Sequence, residues 1–178
     1  MSDSATPVVS AGLIRRFGAM IYDTLLLVAL AMVFTALLLP FSKGEAITPA
    51  AFGAVAYLYR VALVALWVMF YGLFWTRQGQ TLGMMAWRIK LEREGGGPVD
   101  WRLALMRLGA SAAPLIVVAL LGLSLPTLAR PILMAAAAVW LAGYCAIYLD
   151  RERRALHDRW LHTRVIVVPK RRVGASGP

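Results

Sequence analysis

The chain has 178 residues, of which 60% are apolar and only 16% charged, and its net charge is +10. Its mean hydropathy is +0.68, whereas a soluble domain is about 45–50% apolar. The apolar residues form long blocks with the charges between them, which favours a membrane protein over a nucleic-acid-binding protein, the other usual source of a strong positive charge. Cys145 is the sole cysteine, so a disulfide within the chain is excluded.

The first apolar block predicts a membrane helix. It runs from about Phe17 to Leu39 and is expected to end at Pro40, which is close to the about 20 residues that a bilayer requires. Arg15 and Arg16 precede the block and no convincing cleavage site follows it, so we interpret it as a retained helix and not as a signal peptide. Residues 1–12 are predicted to be a disordered N-terminus.

Three further blocks predict three further membrane helices. Thr48 and Pro49 have the pattern of an N-cap followed by a proline at the first helical position, and they predict a helix that continues to about Trp75. The third span is predicted from about Leu108 to Leu125 and the fourth from Pro131 to about Leu149. The sequence therefore predicts an all-α membrane protein with four transmembrane helices.

The distribution of Lys and Arg predicts the orientation. Lys43, Arg60 and Arg130 fall on one side of the predicted spans, which leaves 16 of the 19 basic residues on the other side. Lys and Arg accumulate in cytoplasmic loops. Because both ends of the chain are basic, we predict that the N- and C-termini are both cytoplasmic.

The polar segments predict additional elements at this basic side. Gln80–Ala86 is expected to form a turn or a short interfacial helix. Trp87–Glu92 alternates apolar and charged residues, which is typical of a half-buried strand, and the β-branched Thr163–Val168 is expected to pair with it in a small cytoplasmic β-hairpin element. The arginine-rich Asp150–His162 predicts a basic amphipathic helix that lies on the membrane surface.

Asp23 is the strongest candidate for a functional residue. A carboxylate at the centre of a span costs about 2.5–3.5 kcal/mol, so it should face the helix bundle and have a partner. Burial favours the neutral carboxyl and a nearby cation favours the charged one, so such a group can exchange a proton or a cation. Arg16 lies on the same helical face, about 10 Å away along the axis. Two interpretations stay open: a structural ion pair that anchors the helix, or part of a substrate or ion path.

A second candidate cluster lies in the predicted basic helix. Asp158 and His162 have the i,i+4 spacing of two metal ligands, but no third ligand is evident, and an ion pair of Asp158 with Arg154 is the better supported interpretation. His157 has a side chain that titrates near neutral pH when unperturbed. The sequence contains no hydrolase, P-loop or zinc-protease pattern, so neither an enzyme nor a metal or cofactor is predicted.

Three stretches in order resemble the RDD family of bacterial membrane proteins: Arg16–Asp23, the glycine-rich Gly79–Gly83, and Arg153–Arg159 together with Thr163–Val165. The resemblance covers Gly12 to Val168, and we take residues 13–168 as the membrane domain and 169–178 as a basic flexible tail. The family is named for one arginine and two aspartates. The resemblance implies that these are Arg16, Asp23 and Asp158, with Asp150 as an alternative for the second aspartate.

Transport has been suggested for this family, including exchange of monovalent cations for protons. The resemblance therefore implies a small transporter of the bacterial inner membrane, in which Asp23, Arg16 and Asp158 bind the substrate or ion and Asp150, Arg154 and His157 support them. Its expected partners are the bilayer with its anionic head groups, Na⁺, K⁺ or Li⁺, H⁺, and further copies of the chain in a homo-oligomer, but no nucleic acid. The alternative is a non-transporting scaffold or accessory protein that binds a partner protein or anionic lipid.

Overall fold

The structure is a computed structural model that describes residues 9–124, 129–148, 150 and 154–169. The helices are α1 (Leu13–Ser42), α2 (Pro49–Phe52), α3 (Ala54–Arg77), α4 (Leu82–Ala86), α5 (Trp101–Ser124), α6 (Ala129–Cys145) and α7 (Leu156–Trp160). Most of the predicted disordered N-terminus and of the predicted flexible tail lies outside the described residues.

Three segments are long and apolar enough to cross a membrane, judged by length and composition within the described residues: Leu13–Ser42, Ala54–Arg77 and Arg130–Tyr148. They match the first, second and fourth predicted spans and confirm the prediction of a helical membrane protein. The place of the predicted third span is taken by α5, a helix of 24 residues.

Some helix boundaries differ from the predicted ones. Helix α1 continues to Ser42 with Pro40 in its last turn; Pro40 has no N–H to donate to the preceding turn, and the helix ends two residues later. The single helix predicted from Pro49 to Trp75 is divided at Gly53, whose φ of 52° is outside the helical region. Thr48 caps α2 as predicted, because its hydroxyl accepts the N–H of Ala51 at 3.3 Å.

Helix α5 begins earlier than the predicted Leu108. The carboxylate of Asp100 accepts the N–H of Leu103 at 2.8 Å and so caps the helix at Trp101. Arg107, which the sequence assigned to a loop, therefore lies within a helix.

A two-stranded antiparallel sheet joins distant parts of the chain. Strand β1 (Ile89–Arg93) pairs with β2 (Thr163–Val167), with Leu91 opposite Val165. This confirms the predicted β-element, although its strands belong to separate segments and do not form a hairpin. Leu91 and Val165 are buried on one face of the sheet.

The segment before α1 is bound to the same sheet. The N–H of Ala11 donates to the carbonyl of Val165, and the N–H of Val167 donates to the carbonyl of Val9, each at 2.8 Å. The start of α1, strand β1 and strand β2 therefore meet at one end of the helices. We call this end, defined by Val9–Ala11, β1 and β2, the ribbon end.

The predicted basic helix over Asp150–His162 is represented only by the five residues of α7, and Arg151–Arg153 lie outside the described residues. His157 and Asp158 of α7 are buried. Their side chains contact the protein interior, because buried arginines of α1 and α5 bind Asp158.

Candidate functional site: a cavity beside a buried ion cluster

A cavity of about 360 Å³ lies among α1, α3, α5 and α6 close to the ribbon end. Charged side chains on its wall are Arg16, Asp23 and Arg107, and aromatic ones are Trp67, Tyr71, Trp75, Trp140 and Tyr144. Small-molecule sites have volumes of about 300–1,000 Å³ and mainly apolar walls with a few polar groups. The cavity thus has the size and composition of a site for a small ligand.

Asp23 lies on this wall and is only 2% exposed. The hydroxyl of Thr81 donates to its Oδ2, and the N–H of Gly83 donates to its Oδ1 at 2.8 Å. The Thr81 oxygen also accepts the N–H of Met84 at 3.1 Å, which caps α4. Asp23 is therefore held by a hydroxyl and a backbone N–H, and the guanidinium of Arg16 pairs elsewhere.

The glycine-rich stretch explains this geometry. A Cβ on Gly83 would lie 2.3 Å from the carbonyl oxygen of Ala19 and 2.8 Å from Oδ1 of Asp23. Only glycine therefore lets α4 approach α1 closely enough for the bond to Asp23. Gly79, with a φ of 69°, reverses the chain after α3, and its carbonyl accepts the N–H of Leu91 at 2.7 Å.

Asp158 is completely buried and joins two arginines. Nη1 of Arg16 donates to its Oδ2 and Nη1 of Arg107 donates to its Oδ1. Arg16 also donates from Nε to the carbonyl of Ala11 at 3.0 Å, and Nη1 of Arg107 donates to the hydroxyl of Thr163 at 2.8 Å. We call Arg16, Arg107 and Asp158 the buried ion cluster. It attaches α7 and β2 to the long helices.

The charges in the cluster are fixed at neutral pH. Burial opposes ionisation of Asp158, but the guanidiniums of Arg107 and Arg16 outweigh it and hold the pKa of this carboxyl well below its usual range. Burial, reinforced by the positive charge of Arg107, lowers the pKa of His157 to about 4. The cluster thus contains two positive charges and one negative charge, next to a neutral imidazole.

The remaining predicted residues form a separate group. Arg154 pairs with Glu94 and, from Nε at 3.0 Å, with Asp150. The predicted pair of Arg154 with Asp158 is therefore wrong, because α7 begins after Arg154 and the two residues share no helix. His162 is 3.2 Å from Glu94 and so does not join Asp158.

Sequence reasoning missed two residues of the site. Arg107 was counted as a loop cation, although its apolar neighbours Met106 and Leu108 and its place ahead of the third apolar block mark it as unusual. Thr81 was predicted only as part of a turn or short interfacial helix over Gln80–Ala86, and not as a partner of Asp23. Its position directly before Leu82 and Gly83 is that of an N-cap, which is the signal that was available.

These features together define a helical membrane protein in which β1 and β2 form part of the wall of a cavity between the long helices. The RDD family profile matches residues 10–162. The protein belongs to the RDD family, as the three motifs indicated. Comparison with curated proteins and with solved structures gives no match.

Proposed function

We propose that the protein is a small inner-membrane transporter, and not an enzyme, that exchanges monovalent cations for protons at Asp23. The observation that carries the proposal is the position of this carboxyl. It is 2% exposed, lies on the wall of the cavity and belongs to a helix apolar enough to cross a membrane. Ionisable groups at such depth mark ion and substrate paths.

A comparison of the two buried aspartates supports Asp23 as the exchanging group. Asp158 has permanent cationic partners in Arg16 and Arg107. Asp23 is held by Thr81 and Gly83, neither of which carries a charge. A proton or a small cation can therefore compensate the charge of Asp23, whereas the charge of Asp158 is already compensated. In this proposal Asp158 holds Arg16 and Arg107 in the cavity wall.

Four crossings are part of the proposal, and chain parity supports them. Ala11, β1 and β2 meet at the ribbon end, so the chain must cross an even number of times between each pair of them. Helices α1 and α3 make two crossings before β1. Since α6 is a candidate span, α5 supplies the second crossing between β1 and β2.

The ribbon end is proposed to be cytoplasmic and to contact anionic head groups. Exposed Arg15, Arg77 and Arg88 support this orientation. A reporter domain that is active only in the cytoplasm should therefore be active when it is fused to either terminus, and a reporter that is active only outside the cytoplasm should be inactive. We also propose a homo-oligomer, which the molecular mass of the purified protein in nanodiscs will test.

Proton flux in vesicles tests the proposed activity. The chain is reconstituted with an internal pH dye, and gradients of Na⁺, K⁺ or Li⁺ are applied. We expect an ion-dependent pH change that is lost in Asp23→Asn. Asp100→Asn is the matched control, because Asp100 is an exposed acid at the ribbon end, 2.8 Å from Arg93, and does not form part of the cavity wall.

Wild-type vesicles without ion-coupled flux, or full flux in Asp23→Asn, would contradict the proposal. If flux is absent and a partner protein or anionic lipid co-purifies with the chain, the scaffold interpretation is favoured. Replacing the exposed arginines Arg15, Arg77 and Arg88 should then reduce binding of the partner protein or lipid more than replacing Asp23 does.

A further inference from the structure

Helix α4 lies between the cavity and the outer surface of the protein. Its Met84 is 8% exposed and forms part of the cavity wall. The neighbouring Leu82 and Met85 are 40% and 38% exposed and do not form part of that wall. One face of α4 is thus turned to the cavity and another to the outside. A displacement of this short helix would therefore open the cavity beside β1, close to the ribbon end.

Two fixed points bound the segment that contains α4. At its start, the carbonyl of Gly79 accepts a hydrogen bond from strand β1. At its end, the carbonyl of Trp87 accepts a hydrogen bond from Nη1 of Arg15 at 3.3 Å, and the indole packs against α1. Neither point involves Asp23. Residues 80–86 therefore form a short connection whose ends stay in place when its middle moves.

Between these points, the carboxylate of Asp23 holds α4 to α1. The hydroxyl of Thr81 donates to Oδ2, and the N–H of Gly83 donates to Oδ1 at 2.8 Å. Within the described residues, these are the hydrogen bonds that join residues 80–86 to α1. Hydrogen bonds to a charged acceptor are about twice as strong as those between neutral groups. The attachment of α4 therefore depends on the charge of Asp23.

Thr81 connects this charge to the structure of α4. It is completely buried, and its oxygen accepts the N–H of Met84 at 3.1 Å while its proton is donated to Asp23. A hydroxyl has one proton to donate, and a protonated Oδ2 no longer offers that proton an acceptor. The bond from Gly83 then loses its charged acceptor as well. Neutralising Asp23 therefore weakens both attachments of α4 at once.

No charged partner shares this role with Asp23. The other charged and titratable groups on the cavity wall are Arg16 of α1, Tyr71 of α3, Arg107 of α5 and Tyr144 of α6. Both arginines bind Asp158, and no ion pair joins either of them to Asp23 in the part of the chain that the structure describes. The attachment of α4 is thus made by the carboxylate and its two uncharged donors.

We propose that α4 is a lid on the cavity, and that Thr81 is the positioning residue that fastens it to the ionised carboxylate of Asp23. A neutral Asp23 releases the lid, whereas a bound monovalent cation leaves both oxygens able to accept their bonds. Access from the ribbon end therefore differs between the proton-loaded and the cation-loaded site. The lid rests on the proposed exchange at Asp23 for its trigger, but its opening can be measured without transport.

Cysteine labelling of the purified full-length chain in nanodiscs measures this opening. The probe is a charged, water-soluble maleimide, applied at pH 7 to Met84→Cys in a Cys145→Ala background, and mass spectrometry follows the labelled fraction. We expect slow labelling that becomes about tenfold faster when Asp23→Asn is added, as the loss of a bond to a charged group implies. Equal rates with and without Asp23→Asn would overturn the proposal.

Val99→Cys is the matched control for a general loosening of the protein. Val99 is also buried but does not form part of the cavity wall. Because the lid opens locally, Asp23→Asn should change the labelling rate of this cysteine less than about twofold. An equal acceleration at both cysteines would show global loosening and would overturn the lid.

Thr81→Val tests the positioning residue, because valine keeps the shape of threonine without its hydroxyl. It should speed the labelling of Met84→Cys about tenfold, and Thr81→Ser should restore the slow rate. Combined with Asp23→Asn, Thr81→Val should add about twofold or less, because both changes remove the same bond. Rates that multiply in the combined variant would show that Thr81 acts only as a helix cap and would overturn its assignment.

Ion-coupled flux distinguishes the lid from the proposed exchange. Na⁺, K⁺ or Li⁺ should not speed the labelling of Met84→Cys, because Asp23 stays charged, and acceleration by these ions would overturn the trigger. Faster labelling in Asp23→Asn of a protein without flux would sustain the lid and contradict the exchanger. Flux that is lost in Asp23→Asn while the labelling rate is unchanged would sustain the exchanger and overturn the lid.

Discussion

Asp23 and Asp158 are both buried carboxyl groups, yet they are stabilised in different ways. Asp158 is ion-paired with Arg16 and Arg107, whereas Asp23 accepts hydrogen bonds from Thr81 and Gly83. Removing one member of a buried ion pair leaves its partner charged and desolvated. The identity of the partner, more than the depth of burial, therefore determines what each aspartate contributes.

Asp158→Asn should lower the free energy of unfolding by about 3–5 kcal/mol, because it leaves two buried guanidiniums with too little negative charge. Equilibrium unfolding in mixed detergent micelles measures the change. Asp100→Asn removes an exposed pair with Arg93 and should cost less than about 1 kcal/mol. Similar losses in the two variants would contradict a structural role for the ion cluster.

The lowered pKa of His157 predicts that the folded protein loses stability in mild acid. Its pKa is about 4 in the folded protein against 6.5 for a solvent-exposed histidine, so the unfolded chain binds more protons between these values. The free energy of unfolding should therefore fall by about 1–2 kcal/mol from pH 7 to pH 5. Asp158 does not contribute in this window, because its pKa is lowered. His157→Gln should flatten the profile, and an unchanged slope in this variant would refute the assignment.

At the scale of elements, α4 shows how a short motif positions a functional group. Its five residues have too few hydrogen bonds to be stable alone, and they are fixed by contact with α1 through Asp23. The close approach depends on Gly83. The motif therefore presents an N–H and a hydroxyl to the cavity wall.

Gly83→Ala should destabilise the protein by about 1–3 kcal/mol, because the added methyl group meets backbone that cannot move freely. It should also reduce the ion-coupled flux by displacing a donor from Asp23. Gly109→Ala is the control: it is in α5 with nothing within 4 Å of an added Cβ, and it should be neutral or stabilise by up to about 1 kcal/mol. Thermal unfolding in detergent compares the two. Equal melting temperatures would contradict the close packing at Gly83.

At the scale of the whole molecule, the ribbon end joins three parts of the chain. The apolar blocks predicted the helices, and the alternating pattern predicted β1, because both depend on local periodicity. The ion cluster was beyond such reasoning: Arg16 and Asp158 are 142 residues apart, and Arg107 and Asp158 are 51 apart. The family motifs singled out Arg16 and Asp158, but they gave no indication that Arg107 completes the cluster.

The register of the ribbon can be tested by cross-linking. Lys90 is directly opposite Ile166 on the half-exposed face of the sheet. In a Cys145→Ala background, Lys90→Cys with Ile166→Cys should form a disulfide under mild oxidation, because directly paired residues are within bonding range. Lys90→Cys with Val165→Cys should not, since a shift of one residue places the side chains on opposite faces. Reversed yields on denaturing gels would show a different register.

The contacts of Ala11 and Arg16 with the last strand and with Asp158 have a consequence for biogenesis. Helix α1 is translated long before Asp158 and strand β2, which it and the segment before it contact. Arg16 precedes Asp158 by 142 residues, so the ion cluster forms only after Asp158 has been translated. A polypeptide that stops before Asp158 therefore lacks the carboxylate that joins α1 to α5, which distinguishes it from the folded protein.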